Sequence, residues 1–301
     1  MALTQYNATG KVVDLTSMIT NISPSDTPIY SYIGRADKAT QVKHSWEEDD
    51  LPAPIDNAQV EGANYTVTDP GETSILDNVT QIFSRGYGVT DTNMATKRYN
   101  MSNKLAYEMK KAMKVLSMDV ERAIIRNNKK VLGNAATARK MAGLPYYLTT
   151  NKNANGGTPR DLTYALLNDT LETIYKAGGD PDIIVASPRN KRILSALLPL
   201  STERNQKAES KKVVATIDVF EGDFGIQRVL TDRWLPDTDV YVLTSEYMGV
   251  SYLRPFKREE LPKSKDATEQ VIIGELTLEV RAEKASARIT DLNGTLPVAA
   301  S

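Results

Sequence analysis

The sequence predicts an α+β protein with an extended N-terminal arm, a long two-stranded hairpin and one long helix. Three observations support this fold class. The first forty residues are rich in turns, two strand-like segments flank an acidic stretch within residues 41–91, and apolar side chains recur every three or four positions over residues 94–132. Enzymes rarely begin with so much chain outside a core.

The composition is that of a soluble folded protein, with 301 residues, 41% hydrophobic and 25% charged. The 37 basic and 38 acidic residues balance, so net charge gives no reason to expect a dedicated nucleic-acid or membrane binder. The absence of cysteine excludes disulfides, thiol nucleophiles and cysteine metal sites. No apolar run reaches the length of a membrane span, and no signal peptide is recognisable at the start, so we expect a cytoplasmic protein.

The N-terminal arm, residues 1–40, is predicted to hold one short helix near Pro24 and Pro28. The apolar side chains of residues 29–33 that follow are too few to form a core and too many to leave in water. We expect them to dock on the body of the protein or on a neighbouring molecule.

The hairpin consists of a strand predicted at residues 41–46 and a second one at residues 75–90, the latter rich in β-branched and aromatic residues. A turn is expected at Asp69, Pro70 and Gly71 between them. An isolated two-stranded hairpin is marginally stable in water, so this one needs a partner surface.

The long helix is predicted from about Met94 to Leu132, a length on the order of 55 Å. Thr92 or Asn93 is expected to cap its start, and Gly133 to mark its end. Its apolar stripe consists of Met101, Leu105, Met109, Ala112, Met113, Leu116, Val120, Ala123 and Ile124.

The rest of the chain is predicted to form an α/β unit. Helices are expected at residues 161–177 and 188–198, and strands at residues 183–186, 213–219, 225–230 and 240–244. A last strand at residues 275–283 alternates apolar and charged side chains, which predicts one buried face and one wet face.

Two neighbouring segments carry opposite charge. Residues 47–72 hold eight acidic side chains and no lysine or arginine, whereas residues 97–140 hold twelve basic and three acidic ones. Complementary charges on interacting surfaces favour register and partner choice. We therefore predict that the acidic hairpin lies on the basic helix of a neighbouring copy. The candidate contact residues are Glu47, Glu48, Asp49, Asp50, Lys104, Lys110, Lys111 and Lys114.

Catalytic, cofactor-binding and metal-binding residues are not predicted. His44 is the only histidine, and it falls in a hairpin without a core, where a general base would lack a pocket. Asp237 and Asp239 follow a proline between two strands, a position typical of turn residues. The acidic residues 47–50 lack the spacing and glycine of a calcium loop. The basic helix offers no aromatic side chains for base stacking, so any nucleic-acid contact is expected to be weak and made to the backbone.

The order of these parts resembles the major capsid proteins of tailed bacteriophages with the Hong Kong ninety-seven phage fold, and several stretches resemble the SU-ten-type major head proteins. No stretch is diagnostic by itself, but their order and spacing make the resemblance specific over nearly the whole chain. The matching stretches are residues 36–40 (ADKAT) before Trp46-Glu47, 81–84 (QIFS), 139–144 (RKMAGL), 183–188 (IIVASP) with Lys191, and 274–279 (GELTLE).

The resemblance implies a division of the chain into capsid parts. The N-terminal arm is then residues 1–40, the extended E-loop 41–91, the spine helix of the peripheral domain 92–140, the axial domain 141–253, and the return strand and C-terminus of the peripheral domain 254–301. The E-loop of this family reaches over an adjacent subunit, in agreement with its missing core.

The implied function is that of a major capsid subunit, not an enzyme, which assembles through pentamers and hexamers into an icosahedral head around double-stranded DNA. Implied partners are further copies of the chain, separate scaffolding, portal and decoration proteins, and packaged DNA by non-specific contact, without a membrane or cofactor. The virion is the implied location, after assembly in the bacterial cytoplasm. The covalent lysine–asparagine bond of some relatives is not predicted, since Lys43 is the only lysine of the E-loop. An encapsulin-like shell that houses cargo proteins is the alternative function.

Overall fold

A computed structural model describes residues 27–49, 54–62, 64, 72–96, 103–197 and 219–293. The helices are α1 Pro28–Tyr32, α2 Asp91–Ala95, α3 Lys104–Arg126, α4 Leu144–Tyr147, α5 Tyr164–Lys176 and α6 Pro188–Leu197, with short 3₁₀ turns at Ser245–Tyr247 and Glu283–Ala285. The strands are β1 Gly34–Arg35, β2 Lys43–Glu48, β3 Ser74–Val79, β4 Gln81–Thr90, β5 Lys152–Asn153, β6 Ile183–Ala186, β7 Val219–Gly222, β8 Gly225–Thr231, β9 Val240–Leu243, β10 Met248–Glu260, β11 Ala267–Val280 and β12 Ala287–Ile289. Among the described helices, none is both long and apolar enough to span a bilayer.

The chain divides into two units. The first contains the described parts of residues 84–116 and 257–273, and the second those of 26–83, 117–256 and 274–301. In the first unit, the Asp91 amide donates to the Asp266 carbonyl, and the Asp91 carboxylate pairs with Lys263. The Tyr87 hydroxyl donates to Gln270 at 2.8 Å. These contacts join the end of β4 to the chain around β11.

The second unit is built around a six-stranded sheet with the order β5-β12-β9-β6-β8-β7. Strand β6 pairs parallel to β8 and antiparallel to β9, and β12 pairs antiparallel to β9 and parallel to β5. Helices α5 and α6 cover one face. That core consists mainly of Leu167, Leu171, Ile174, Ile184, Ala186, Ile193, Leu194, Phe220, Val229, Val240 and Val242. On the other face, the buried Tyr241 hydroxyl donates to the Ile125 carbonyl at the end of α3.

The long helix begins later than predicted. The chain forms the short helix α2, leaves helical geometry at Thr96 (ψ 133°), and α3 starts at Lys104. Short polar side chains compete with the helical hydrogen bonds here, since Thr90 caps α2 and the Thr96 hydroxyl donates to the Asn93 carbonyl. The Thr96 carbonyl accepts a hydrogen bond from the Lys104 ammonium at 2.7 Å. Asn103, not Thr92 or Asn93, caps α3.

The long helix also ends earlier than predicted, at Arg126 instead of Leu132. The Asn127 side chain donates to the Met141 carbonyl at 2.8 Å, and the Asn127 carbonyl accepts from the Gly143 amide at 2.9 Å. These bonds fix the chain that leaves the helix. Gly133 does have a positive φ of 73°, but in a loop beyond the helix. With 23 residues, α3 is about 35 Å long.

The apolar stripe of the helix is largely confirmed. Met113 is exposed, and Met101 lies outside the described residues. The buried members are Ala112, Leu116, Val120, Ala123 and Ile124.

Two strand predictions differ from the structure, and a third falls mostly outside the described residues. The predicted strand 75–90 is divided at Thr80 into β3, which pairs with β2, and β4, which belongs to the four-stranded sheet β1-β10-β11-β4. The predicted strand 275–283 is the end of the longer β11, and residues 274–280 are buried on both faces instead of one. The predicted strand 213–219 falls mostly outside the described residues; β7 begins at Val219. Strands β6, β8 and β9 and helices α5 and α6 lie where the sequence predicts them.

The return of the chain past the end of α3 requires a glycine at position 143. A Cβ atom there would lie 2.3 Å from the Ile124 carbonyl oxygen and 2.6 Å from that of Ala123. We expect Gly143→Ala to lower the free energy of unfolding by about 1–3 kcal/mol, the usual cost of overpacking, as measured by urea denaturation. Gly34→Ala is the control, because a Cβ at Gly34 meets no atom within 4 Å. Equal stability of the two variants would contradict this close approach.

Candidate interaction surfaces

The base of the hairpin is attached to the chain's own body. Strands β2 and β3 pair antiparallel over six residue pairs, from Lys43 opposite Val79 to Glu48 opposite Ser74. Trp46 is buried, and its indole nitrogen donates to the Val280 carbonyl at 2.8 Å. The Trp46 ring also packs against Tyr147 with a centroid distance of 5.8 Å. The partner surface expected for this hairpin is thus supplied, at its base, by the same chain.

Asn78 holds β3 against two other segments and is fully buried. Its amide nitrogen donates to the carbonyls of Ala142 (3.1 Å) and Leu278 (2.7 Å). Its oxygen accepts from the amides of Ala142 (2.9 Å) and Val79 (2.8 Å). One side chain therefore joins the hairpin, the chain after α3 and β11.

Glu275 is a buried carboxylate in β11 that binds three segments. Its Oε1 accepts from the Thr80 hydroxyl at 2.6 Å and from Arg139 Nη2 at 2.7 Å. Its Oε2 accepts from Arg254 Nε at 3.0 Å. Because a buried charge is costly without partners, these donors explain why an acidic side chain is tolerated in a buried strand.

Glu279 lies four residues further along β11 and binds His44 of the hairpin. His44 Nε2 lies 3.0 Å from Glu279 Oε2 and 3.2 Å from the Ser251 hydroxyl, which itself donates to Glu279 at 3.0 Å. Burial alone would raise the pKa of Glu279, but hydrogen bonds from Arg281, His44 and Ser251 outweigh it and lower this pKa.

The serine–histidine–glutamate group around Glu279 is not arranged for nucleophilic catalysis. In a catalytic triad the carboxylate orients one imidazole nitrogen while the other takes the serine proton. Here the same nitrogen, Nε2, faces both Ser251 and Glu279, and the serine proton points to the carboxylate. Ser251 is also fully buried. His44 therefore has a structural role.

Asp239, considered as a metal ligand in the sequence, is instead an ion-pair partner. Its Oδ2 accepts from Arg288 Nη2 at 2.7 Å, and its side chain is buried. Within the described part of the chain, no group of three or more histidine and acidic residues is placed to hold a metal ion.

The arm docks on the body through a buried carboxyl group. Ile29 and Ile33 are buried, and Glu121 accepts hydrogen bonds from the amides of Ile29 (2.8 Å) and Tyr30 (2.7 Å) at the start of α1. The Tyr30 hydroxyl lies 2.6 Å from that of Tyr252. The apolar residues 29–33 thus find their surface within the chain.

Glu121 faces a second buried carboxyl group, Asp232. Burial and the nearby Asp232 charge raise the pKa of Glu121 to about 8. Burial also raises the pKa of Asp232, although hydrogen bonds from the Trp234 and Leu235 amides and from Glu121 oppose this. At neutral pH, Glu121 is therefore mainly protonated, and the two carboxyl groups carry one proton between them.

Of the predicted acidic contact residues, Glu47 and Glu48 lie on β2 and Asp49 directly follows it. Glu47 and Asp49 are exposed, Glu48 is half-buried at the end of β2, and Asp50 lies outside the described residues.

The predicted basic contact residues differ among themselves. Lys110, Lys111 and Lys114 are exposed on α3, and Lys111 Nζ lies 3.5 Å from Glu108. Lys104 is buried, and its ammonium binds the Thr96 carbonyl and hydroxyl. Lys104 therefore belongs to the start of α3. The lysines exposed to a neighbouring copy are Lys110, Lys111 and Lys114.

Sequence reasoning missed the residues that hold the hairpin and the arm in place. Asn78 lies in an ordinary strand-like stretch, and Glu121 is an acidic residue in a basic helix. The sequence does contain one indication for Glu121. It stands next to Val120 on the apolar stripe that continues with Ala123 and Ile124, where a charged residue is unexpected.

Two comparisons of sequence point to the same kind of protein. The family model described as "SU10 major capsid protein" matches residues 2–293. A curated relative, the major capsid protein of Escherichia phage Phieco32, is 26% identical over 334 aligned positions, which cover 93% of this chain and 94% of the relative.

Solved structures share the fold at low sequence identity. The capsid asymmetric unit of cyanophage A-1(L) matches with a TM-score of 0.72 at 12% identity and covers 96% of this chain and 99% of the other. A chain of Gordonia phage Cozz matches with a TM-score of 0.61 at 12% identity, covering 96% and 98%. The fold therefore extends over nearly the whole length of each chain.

We expect Asn78→Ala to lower the free energy of unfolding by about 3–5 kcal/mol, because it leaves several buried backbone groups without partners. Urea denaturation of the dissociated subunit measures this change. Asn57→Ala is the control, since Asn57 is exposed and, among the described residues, its side chain is hydrogen-bonded to Gln59 alone. A loss for Asn78→Ala no larger than that for the control would contradict the role given to Asn78.

We expect Asp232→Asn to flatten the pH dependence of stability. Glu121 has a folded pKa of about 8 against an ordinary value of 4.5, so it binds a proton more strongly when folded, and stability falls as pH rises between these values. Removal of the Asp232 charge lowers the Glu121 pKa. The variant should lose about 1–2 kcal/mol less than the parent between pH 6 and 9.

Denaturation at each pH measures this effect, with Asp237→Asn as the control. Asp237 is exposed in the same loop and undergoes the same chemical change. Parallel pH profiles of the parent and Asp232→Asn would show that the two carboxyl groups do not share a proton.

Proposed function

The chain belongs to the SU10 major capsid protein family, and we propose that its copies assemble through pentamers and hexamers into an icosahedral head that encloses double-stranded DNA. The family makes it a phage major capsid protein, a structural subunit of the virion and not an enzyme. The resemblance and the α+β capsid fold predicted from the sequence are confirmed.

The proposal assigns the parts of the chain as the resemblance does. The hairpin β2–β3 is the E-loop, α3 is the spine helix, and the six-stranded sheet is the axial domain. Strand β12 follows the predicted axial segment 141–253, yet it pairs with β5 and β9 of that sheet. The return segment thus supplies one strand to the axial sheet in this assignment.

The hairpin is the observation that carries the proposal. Its base is fixed by Trp46 and Asn78, whereas residues 54–62 at its tip are exposed throughout. A hairpin with a fixed base, whose described tip residues are all exposed, is suited to contact a neighbouring subunit.

Opposite charges support self-association as the mode of contact. Glu47 and Asp49 are exposed on the hairpin, and Lys110, Lys111 and Lys114 are exposed on α3. A hairpin laid on the α3 region of the next copy would bring these charges together, and complementarity of this kind sets register more than affinity.

The encapsulin-like alternative is less well supported. The family model and the curated relative are both major capsid proteins, and the matching structures named above come from phages. The capsid assignment therefore has a sequence relationship behind it, which the alternative lacks.

Further partners belong to the same proposal. Separate scaffolding, portal and decoration proteins would guide assembly in the cytoplasm of the bacterial host. Packaged DNA would meet the inner surface through non-specific phosphate contacts, which depend on salt and not on base sequence.

Electron microscopy of the purified chain, with its mass measured in solution, tests the proposal directly. We expect closed shells or rings of five and six subunits, either from the chain alone or after co-expression with neighbouring phage genes. A chain that remains monomeric under both conditions would contradict the assembly.

We expect the double variant Glu47→Lys, Asp49→Lys to assemble only at a several-fold higher protein concentration at low salt. Exposed ion pairs contribute about 0.2–1 kcal/mol each and are screened as salt rises. Light scattering against protein concentration, at low and high salt, measures the change. Adding Lys110→Glu and Lys114→Glu should restore assembly.

The control for this charge exchange is Asp169→Lys, Asp180→Lys, which reverses two exposed carboxylates elsewhere. An equal loss of assembly in the control, or the absence of any restoration in the quadruple variant, would exclude the hairpin–helix contact.

A further inference from the structure

An open groove lies beside the loop that follows α3. Ile82 and residues 132–134 and 137–139 line a cavity of about 430 Å³. Leu132 and Ile82 are 63% and 45% exposed, although both are large aliphatic side chains. Exposed aliphatic side chains that share one concave surface are typical of a binding site.

The groove has a fixed shape because its loop is closed by hydrogen bonds. The backbones of Val131 and Lys140 exchange two bonds of 3.0 Å, and the Asn134 side chain accepts from the amides of Ala136 and Thr137. Arg139 is held by Glu275 at 2.7 Å. Leu132 is therefore presented outward by a structured loop.

The surroundings of the groove are basic. Residues 127–140 contain four basic side chains and no acidic one. Lys130 pairs with Asp77 and Arg139 with Glu275, while Lys129 and Lys140 are exposed. An occupant with apolar and acidic groups would fit this surface.

The hairpin tip carries both kinds of group. Ile55 and Val60 are each 79% exposed, and Asp56 and Glu61 are exposed next to them. The tip also has local structure, since the Ala58 amide donates to Asp56. Among the described residues, nothing covers Ile55 and Val60, and the lining of the groove does not include the tip.

We propose that the hairpin tip of one copy inserts Ile55 and Val60 into the Ile82–Leu132 groove of a second copy. The apolar side chains fill the cavity, and Asp56 and Glu61 face Lys129 and Lys140. This inference rests on the proposed assembly of the chain and identifies the surface that receives the tip. Two aliphatic side chains at the centre favour a protein segment over a nucleic acid as the occupant.

Crosslinking tests the inference with little background, because the chain has no cysteine. Particles are prepared from the double variant Ile55→Cys, Leu132→Cys and treated with a short bismaleimide reagent. We expect a ladder of linked subunits on a denaturing gel. Mixed particles, in which each chain carries only one of the two cysteines, should give linked dimers and no longer products.

The control pair is Ile55→Cys, Ile226→Cys. Ile226 is 66% exposed on β8, so it is as reactive as Leu132 without lying in the groove. A ladder specific to the Leu132 pair supports the inference. Equal ladders in both pairs, or intact particles without a ladder, would overturn it, as would a link formed within one chain.

Particle mass separates this inference from the proposed function. Under reducing conditions and without crosslinker, particle mass first establishes a protein concentration at which the double variant assembles, even where that concentration exceeds the parent's. Particles without the specific ladder reject the groove and leave the capsid function standing. If the parent chain remains monomeric, the proposed function is rejected. No second copy is then present to place its tip in the groove.

Loss of the apolar contact gives an independent measurement. Ile55→Ser, Val60→Ser should raise the protein concentration needed for assembly about tenfold. The ratio of this concentration to that of the parent should change little when salt is added. Ile226→Ser, a matched exposed isoleucine, should leave that concentration unchanged. A tip variant that assembles like the parent would count against insertion of these side chains.

Discussion

The second unit of this protein depends on two carboxylates in a strand that is buried on both faces. Glu275 and Glu279 lie in the last seven residues of β11, where an apolar side chain would pack without further requirement. A buried carboxylate instead needs donors at defined positions, and removal of one partner of a buried ion pair typically costs about 3–5 kcal/mol. The segments that supply those donors are therefore fixed in position relative to β11.

These donors fix the position at which the hairpin leaves the body of the protein. Thr80, at the junction of β3 and β4, donates to Glu275, and His44 of β2 contacts Glu279. Trp46 and Asn78 add bonds to the backbone of the same strand. Four attachments over a short length of β2 and β3 hold the base in one orientation. A contact made at the tip, as proposed above, would therefore depend on β11 for its orientation.

The sequence predicted those elements whose pattern is local. Strand β6 is a continuous apolar run and α5 has a clear period and a threonine cap, so both lie where expected. The long helix was predicted with the right stripe but the wrong ends, because the bonds of Lys104 to Thr96 and of Asn127 to Met141 involve residues separated by eight or more positions. For β11, alternating glutamates predicted a wet face. Arg281 is a local partner of Glu279. Their other charged or ring partners, Arg139, Arg254 and His44, lie far along the chain, so the local pattern does not connect them to the strand. Composition suggested the candidate charged contact residues, but it did not predict the burial of Lys104.

The two buried acidic sites, Glu279 at the hairpin base and Glu121 beside the arm, respond to pH in opposite directions. The pKa of Glu279 is lowered in the folded state, so its stabilising bonds are present above the ordinary value of 4.5 and are lost as pH falls through the folded value. The pKa of Glu121 is raised to about 8, so its favourable protonated state is lost as pH rises toward and past that value. Acid thus weakens the contact of the hairpin base with Glu279 at His44. Alkali instead ionises the buried Glu121 beside Asp232, which lowers stability through desolvation and charge repulsion, whereas the Ile29 and Tyr30 amides favour the ionised form. The stabilisation from the two sites together is therefore largest at pH values between the two titrations.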